Sequence, residues 1–439
     1  MSMSLDDAPV RPRTRPRTRP SVATEPRVTL HPRSRRYPAH VYWRRRAIVI
    51  AVVFTLSVVG YYGVTLGFAL NNPSYGVTFQ ARLAEWGRQH GLGGVVTWAE
   101  TEYNKLHPAK VGGNPNKNTV PTVPTVKISR GTQPLAVPVA LKTPAATPLV
   151  ENGWVEGTWK PAGRLTANGL PAVYETFIRP DAVHTSYVVG VAWMDTKILS
   201  GALYSGSQIP GGGPYPLTAP ISPEASKTLV AAFNAGFRMQ DANGGYYTDH
   251  KTVIPLRVGA ASVVIYADGS MNIGQWGTDV SMAPDATGSP VASVRQNLDL
   301  IVNRGRSVAG LDLQNNAKWG RALGGSFNVF RSGLGITRDG ALVYVGGPGM
   351  SISDVADTLV RAGAVRGLEL DMNTDWVQYS TYSGPIGQVL NGSNGTDLLP
   401  YPSVMDGSPS RFFASWWTRD FFVMSLRPKY QSATTAAAG

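Results

Sequence analysis

The chain has 439 residues and a formal net charge of +13, and this charge is unevenly distributed. Twelve arginines against three acids give residues 1–46 a net charge of +9, and eight basic against three acidic side chains give residues 71–150 a charge of +5. Residues 151–439 hold twenty-one basic and twenty-two acidic side chains, a net charge of −1. This balance argues against a nucleic-acid-binding face on the main domain.

Two residue types that often carry chemistry are scarce. The chain has no cysteine, which excludes disulfides, thiolate metal sites and cysteine nucleophiles. After residue 150 the only histidines are His184 and His250. Two histidines are too few for a multi-histidine metal centre, and they offer at most two candidate bases for a Ser–His–Asp triad. The chemistry of this region must therefore rest on carboxylates, arginine, tyrosine, asparagine and backbone groups.

The N-terminal region predicts a membrane anchor. Residues 1–46 are rich in proline and arginine and are predicted to form a disordered cytoplasmic tail. Residues 47–70 are uncharged, and a helix of that length, about 36 Å, spans a bilayer. The three arginines 44–46 directly before it predict a cytoplasmic N terminus and an extracellular C-terminal domain. A cleaved signal peptide is the alternative, but the run is long, begins far from the start and lacks an Ala-x-Ala site.

Two segments separate the anchor from the main domain. Residues 71–107 have helical periodicity, with Leu83, Trp86 and Trp98 as apolar contacts, and predict a juxtamembrane helical segment. Residues 108–150 contain eight prolines and no acidic residue, which predicts an extended, semi-rigid linker. At the other end of the chain, residues 429–439 are predicted to be disordered.

Residues 151–428 are predicted to form one β-dominated domain. Asp268-Gly269 and Asp339-Gly340 each separate two apolar runs, as in β-hairpins. The candidate strands are 173–178, 186–194, 229–237, 262–276, 326–336, 341–347, 366–372 and 419–426.

Two helices are predicted in this domain. One follows Met350, with Ser353 as its N-cap, and the other begins at Pro223 after the N-cap Ser222. The predicted class is α+β, a β-dominated mixed sheet with a few helices.

Three stretches carry candidate site residues, and the first is residues 233–250. Asn234 follows an apolar strand, Gly236 permits close backbone approach, and a loop rich in glycine and tyrosine leads to Asp249 and His250. Such a loop can present polar groups to a ligand. The same residues can also be a glycine-rich connection in which the asparagine caps a turn.

The second stretch is FRSGLGITRDG, in which Arg331 lies within an apolar strand. Gly333 and Gly335 follow, and because they have no side chains they do not shield the arginine. An arginine in such a strand must meet an anion, either a carboxylate of its own chain or a ligand phosphate.

The third stretch is LELDMNTDW, where Glu369 and Asp371 alternate with leucines and so lie on one side of a regular strand. Asn373 and Asp375 continue a D-x-N-x-D pattern that is similar to the start of a calcium loop. Trp376 stands where such a loop needs glycine, and no glutamate follows at the required spacing. The sequence therefore predicts a site without a cofactor or metal, with a divalent cation such as calcium as the alternative.

The order of these three stretches over residues 170–426 resembles the phosphodiester glycosidase family. The family motif Asn-Gly-Gly-Phe-Phe is matched by residues 234–237, and its arginine, small residue and glycine by Arg331, Ser332 and Gly335. The family motif Leu-Asp-Gly-Gly-Gly-Ser is matched at Asp371.

The resemblance implies hydrolysis of a sugar-1-phosphodiester at the glycosidic carbon, in an envelope polymer or lipid. By this resemblance Arg331 would hold the phosphate, Asp371 would act as nucleophile or base, and Glu369 would be the second carboxylate. The substrate-binding residues would be Asn234, Gly236, Asn373, Asp375, Asp249 and His250.

Two other functions remain open from the sequence. In the third motif Met372 and Asn373 replace the family's glycines, which favours a non-catalytic envelope protein that binds glycan in the same cleft. The tryptophans of the main domain could stack on sugars. A purely structural tether would neither bind nor cleave.

Overall fold

The structure is a computed structural model, and it describes residues 38–432 except 77, 123–125, 127, 129–133, 146, 312–316, 320–326 and 401–408. Most of the predicted N-terminal tail, residues 1–37, and most of the predicted C-terminal tail, residues 433–439, lie outside the described residues. The chain divides into two compact units, Met1–Tyr62 and Gly63–Gly439.

The first long element is helix α1 (Ala39–Asn71), which has 33 residues. It begins eight residues before the predicted span at residue 47 and includes Arg44, Arg45 and Arg46. Within the described part of the chain it is the one helix long and apolar enough to cross a membrane.

Two helices follow closely, α2 (Phe79–Gln89) and α3 (Gly93–Leu106), and we call them together the helix pair. The Thr78 hydroxyl caps α2 by accepting a hydrogen bond from the Ala81 N–H at 3.1 Å. An ion pair of 2.5 Å between Arg88 and Glu100 joins the two helices.

The rest of the described chain contains twenty strands, three further α-helices and six short 3₁₀-helices. The strands before residue 220 are β1 (Val150–Glu151), β2 (Trp154–Val155), β3 (Lys160–Ala162), β4 (Val173–Ile178), β5 (Val189–Met194) and β6 (Leu199–Tyr204). Next come β7 (Leu229–Asn234), β8 (Tyr246–Thr248), β9 (Lys251–Ile254), β10 (Ala261–Tyr266), β11 (Met271–Gln275), β12 (Val291–Gln296), β13 (Leu300–Asn303) and β14 (Arg306–Ser307). The last are β15 (Val329–Thr337), β16 (Leu342–Met350), β17 (Ala364–Glu369), β18 (Tyr379–Tyr382), β19 (Gly395–Asp397) and β20 (Phe421–Leu426). The helices are α4 (Pro223–Ser226), α5 (Met239–Ala242) and α6 (Ile352–Arg361).

The predicted α+β class is confirmed, with strands as the dominant element. Every predicted strand region contains a strand, and β4 has the predicted bounds, 173–178. The two Asp-Gly pairs connect β10 to β11 and β15 to β16, as predicted. The apolar runs and the turn residues between them were sufficient to locate these elements.

The strands form three large antiparallel sheets and one two-stranded ribbon. The first sheet has the order β14-β13-β17-β15-β16-β5-β4-β3, the second β19-β18-β7-β20-β6, and the third β11-β10-β12-β8-β9. Phe233 of the second sheet contacts Tyr344 of the first, with ring centroids 5.4 Å apart, and both rings contact Tyr379. These aromatic contacts join the first and second sheets and form part of the main hydrophobic core.

Helix α6 covers the other face of the first sheet, where Val355 and Leu359 are buried. A Cβ added at Gly333 would lie 2.5 Å from the Val355 Cγ1, so this glycine allows α6 to approach β15. The N-cap is Ser351, in a capping box with Asp354, and the prediction of Ser353 was wrong. For α4 the predicted cap Ser222 and first residue Pro223 are confirmed.

The described part of residues 108–145 runs along the β domain. The Lys110 N–H donates to the Tyr187 hydroxyl at 3.0 Å, and the Trp159 indole N–H donates to the Val139 carbonyl at 2.7 Å. Val120 and Leu141 are buried. The proline-rich segment thus contributes to the surface and core of the domain.

Candidate functional site

A cavity of about 580 Å³ lies at one edge of the first and second sheets. Its walls come from the loop after β7, the loop after β17, Arg419 just before β20, and the helix pair. The side chains that matter for its chemistry are Glu85, Arg238, Asp371, Asn373, Arg419 and Glu100.

Asp371 lines the cavity and lies two residues beyond β17, which ends at Glu369 and not at residue 372 as predicted. The Ser332 N–H donates to the Asp371 carbonyl at 2.7 Å, which fixes the backbone. Burial raises the pKa of the Asp371 carboxyl to about 7, against the lowering effect of the Arg419 guanidinium and of the backbone N–H groups of Asn373 and Met372. A carboxyl with this pKa exchanges protons near neutral pH, as a general base must.

The three sequence stretches meet behind Asp371. The Asn234 amide donates to the Ser332 hydroxyl at 3.1 Å, and the Asp371 N–H donates to the same hydroxyl at 3.2 Å. The Asn234 carbonyl oxygen accepts from the Tyr344 hydroxyl at 2.9 Å and the Gln378 N–H at 3.2 Å. Asn234 is buried and supports Asp371 through Ser332, and it is not among the residues that line the cavity.

Arg331 and Glu369 form a fully buried ion pair, with 2.5 Å between Nη1 and Oε1. The Arg331 Nε also donates to the Met350 carbonyl at 3.1 Å, and Nη2 donates to the Phe327 carbonyl at 3.3 Å. Neither side chain is among those lining the cavity. The anion that this arginine requires is a carboxylate of its own chain, so the arrangement leaves Arg331 no access to a substrate phosphate.

Gly236 has a structural role close to the site. Its φ is +151°, and a Cβ there would lie 3.0 Å from the Asn297 Oδ1. The Asn297 amide donates to the carbonyls of Glu369 at 2.6 Å and Leu370 at 3.0 Å, and its Oδ1 accepts from the Phe237 N–H at 3.2 Å, so Asn297 ties the loop after β7 to the end of β17. The glycine therefore allows a side chain, rather than a substrate, to approach the backbone.

The D-x-N-x-D pattern forms two consecutive turns. The Asn373 N–H donates to the Asp371 carboxylate at 3.0 Å, and the Asp375 N–H donates to the Asn373 side-chain carbonyl at 2.9 Å. Asn373 lines the cavity, whereas Asp375 is buried beside Arg411, which donates to its carbonyl at 2.8 Å. Within the described residues no group of three or more His, Cys, Asp or Glu could hold a metal ion.

Asp249 and His250 form the turn between β8 and β9 and lie on the surface. Both have positive φ, +49° and +58°. Neither is among the cavity-lining residues, so the structure does not bring them together with Asp371.

Sequence reasoning missed the charged residues that face the cavity. Arg238 Nη1 lies 3.0 Å from Glu85 Oε1, and Arg419 Nη2 lies 3.9 Å from Glu85 Oε2. The Arg419 guanidinium also stacks over the Trp376 ring, 4.5 Å from its centroid. Its Nη1 is buried with no hydrogen-bond partner among the described residues. The signal for Arg419 was its place in Arg419-Asp420, directly before an apolar strand.

No family model and no curated protein matches the chain. A hypothetical protein from Synechocystis has a similar solved structure, with 13% identity and a TM-score of 0.34; the match covers 62% of this chain but only 64% of that one. The zebrafish N-acetylglucosamine-1-phosphodiester alpha-N-acetylglucosaminidase catalytic domain matches with 16% identity and a TM-score of 0.36, over 62% of this chain and 89% of that one. An exported protein from Burkholderia pseudomallei K96243 matches with 14% identity and a TM-score of 0.24, over 54% and 74%. These likenesses are of distant fold only.

Proposed function

We propose that this chain is a membrane-anchored, exported hydrolase that cleaves the glycosidic bond of sugar-1-phosphodiesters in envelope polymers or lipids. The observation that carries the proposal is the placement of Asp371 and Arg419 in one cavity. The first is a buried carboxyl with a pKa raised to about 7, and the second is a buried arginine whose Nη1 lacks a hydrogen-bond partner among the described residues. Perturbed carboxyls and cations in one cavity favour catalysis.

Each residue has a distinct part in the reaction. Asp371 takes a proton from a water molecule, the resulting hydroxide attacks the glycosidic carbon, and the carbon–oxygen bond breaks with its electrons on the phosphate oxygen. Arg419 and Arg238 neutralise the phosphomonoester as it leaves, which replaces part of the work of a general acid. Asn373 offers its amide to a sugar hydroxyl. In this assignment Arg419 takes the phosphate-holding role that the family resemblance implied for Arg331.

The location of the reaction follows from the anchor. Helix α1 is long and apolar enough to cross a membrane, and Arg44, Arg45 and Arg46 lie near its N-terminal end. Positive charge on that side favours a cytoplasmic N terminus. The domain with the cavity would then be extracellular and would meet carbohydrate or sugar-phosphate substrates of the envelope. Its balanced charge does not favour a nucleic acid as partner.

The proposal is tested by locating the bond that breaks. The purified full-length chain is incubated with sugar-1-phosphodiesters in ¹⁸O-labelled water, and both products are analysed by mass spectrometry. We expect the label in the released sugar, because water attacks the glycosidic carbon. Label in the phosphomonoester would show phosphodiesterase chemistry and contradict the proposal.

A second candidate function is glycan binding without cleavage. It is favoured by Met372 and Asn373. Both residues line the cavity, at positions where the phosphodiester glycosidase family has glycines. The same incubation separates the two functions. A binding protein would retain the phosphodiester, as measured by isothermal titration calorimetry, and would release neither sugar nor phosphomonoester.

A further inference from the structure

The helix pair has two chemically different faces. On α3 the residues that line the cavity are Gly93, Thr97, Glu100, Tyr103 and Asn104. On the same helix Val95, Trp98 and Leu106 are largely exposed. At 100° per residue the centres of these two sets lie about 180° apart around the helix.

Helix α2 repeats this arrangement. Glu85 and Arg88 line the cavity, whereas Phe79 and Leu83 are exposed on the side of the helix about 170° away. Leu92, between the two helices, is exposed as well. Large apolar side chains in this number on one helical segment mark a surface that is covered in the working protein. We call the residues Phe79, Leu83, Leu92, Val95, Trp98 and Leu106 the outer apolar face.

We propose that the outer apolar face lies in the interfacial layer of the lipid bilayer. The inference rests on the membrane anchorage proposed above for α1, and it adds a second contact with lipid. Only residues 72–78 separate the end of α1 from the start of α2, so the helix pair follows the anchor closely along the chain. A helical segment that carries exposed Trp, Phe and Leu beside a bilayer is typical of interfacial helices.

Side-chain type and position favour lipid as the occupant. Residues 72–107 carry three basic and three acidic side chains, so the helix pair has no net charge that would oppose contact with a bilayer. Trp98, 65% exposed, has the amphipathic ring that is enriched at the level of the headgroups.

Docking would place the cavity beside the lipid surface. The polar face of α3 lines the cavity and the opposite face would contact lipid, so the two are separated by about one helix diameter, ~10 Å. A headgroup or a lipid-linked glycan would then approach the cavity along the membrane.

The test uses nitroxide labels on single cysteines, which is direct because the chain has none of its own. Val95→Cys and Trp98→Cys are labelled in the full-length chain and reconstituted in nanodiscs of phosphatidylcholine and phosphatidylglycerol. Val53→Cys in α1 is the lipid control. Val258→Cys, which replaces a side chain that is 76% exposed in the β domain, is the aqueous control. Electron paramagnetic resonance measures collisions of each label with oxygen and with a water-soluble nickel chelate.

We expect the labels at 95 and 98 to collide preferentially with oxygen, as at 53, and the label at 258 to collide preferentially with the chelate. If 53 behaves as lipid-exposed while 95 and 98 behave like 258, the docked face is refuted and the anchor stands. Dipolar broadening between labels at 98 would show a second copy of the chain on this face and would also overturn the inference. If 53 is exposed to water, the anchor fails, and the docked face fails with it.

Discussion

Arg331 and Glu369 meet at 2.5 Å in the interior of the first sheet, and neither side chain is exposed to solvent. The Glu369 Oε2 has no hydrogen-bond partner among the described residues. The pair joins neighbouring strands, β15 and β17, directly before the loop that carries Asp371. Its role is therefore to hold the end of β17, and its removal should affect stability first.

Arg331→Met is expected to lower the free energy of unfolding by about 3–5 kcal/mol, because it leaves the Glu369 carboxylate buried without its partner. The double variant Arg331→Met/Glu369→Leu should recover most of that loss, since no charge remains to be desolvated. Urea-induced unfolding of the detergent-solubilised chain measures both. If Arg331→Met keeps its stability but loses turnover, the arginine acts on substrate and the structural role is wrong.

Gly333→Ala should destabilise the domain by about 1–3 kcal/mol, because the added Cβ would lie 2.5 Å from the Val355 Cγ1 in the contact between β15 and α6. The matched control is Gly94→Ala in α3, where a Cβ would have no neighbour within 4 Å. That change should be neutral or stabilising by up to about 1 kcal/mol, through helix propensity. Equal unfolding midpoints for the two variants would contradict the packing role of Gly333.

The pH dependence of turnover should report Asp371. As a base the carboxyl must be ionised, so kcat/KM is expected to rise with pH and level off above an apparent pKa near 7. Arg419 lowers the pKa of Asp371, and Arg419→Gln should therefore move the profile to higher pH, besides raising KM for an anionic substrate. Arg306→Gln, at an exposed position of β14, serves as the control. A profile that Arg419→Gln leaves in place would refute the electrostatic link.

The Glu85 carboxylate pairs with the guanidinium groups of Arg238 and Arg419 in the cavity. Glu85→Gln should lower KM for an anionic substrate several-fold, because both guanidinium groups lose a competing carboxylate. Glu102→Gln is the control, since Glu102 lies on α3 and pairs with Lys105 on the surface. An unchanged or raised KM in Glu85→Gln would show that the carboxylate does not compete with substrate.

The sequence was informative about strands and turns because those signals are local. Short runs of apolar and β-branched residues located β4, β10 and β15, and Asp-Gly located two hairpins, without knowledge of any distant contact. That a strand ends close to Asp371 was also readable, although β17 ends at Glu369 and not at residue 372 as predicted.

The roles of individual polar residues were not readable, because they depend on partners far apart in the chain. Arg331 needed an anion, but only the pairing of β15 with β17 shows that Glu369 supplies it. Asn373 and Asp375 resembled a calcium loop because consecutive turns of this kind use the same residue types. Glu85 and Arg419 are 334 positions apart, and no local pattern connects them with the cavity.

We propose that Asp371 performs the proton transfer in this cavity. The most direct measurement compares turnover of a sugar-1-phosphodiester by the wild-type chain and by Asp371→Asn, with the fold of both verified by circular dichroism. Loss of a general base predicts a fall of about 10²–10⁴-fold in kcat. Equal turnover by the folded Asp371→Asn variant, or no sugar release by the wild type with any sugar-1-phosphodiester tested, would contradict the account.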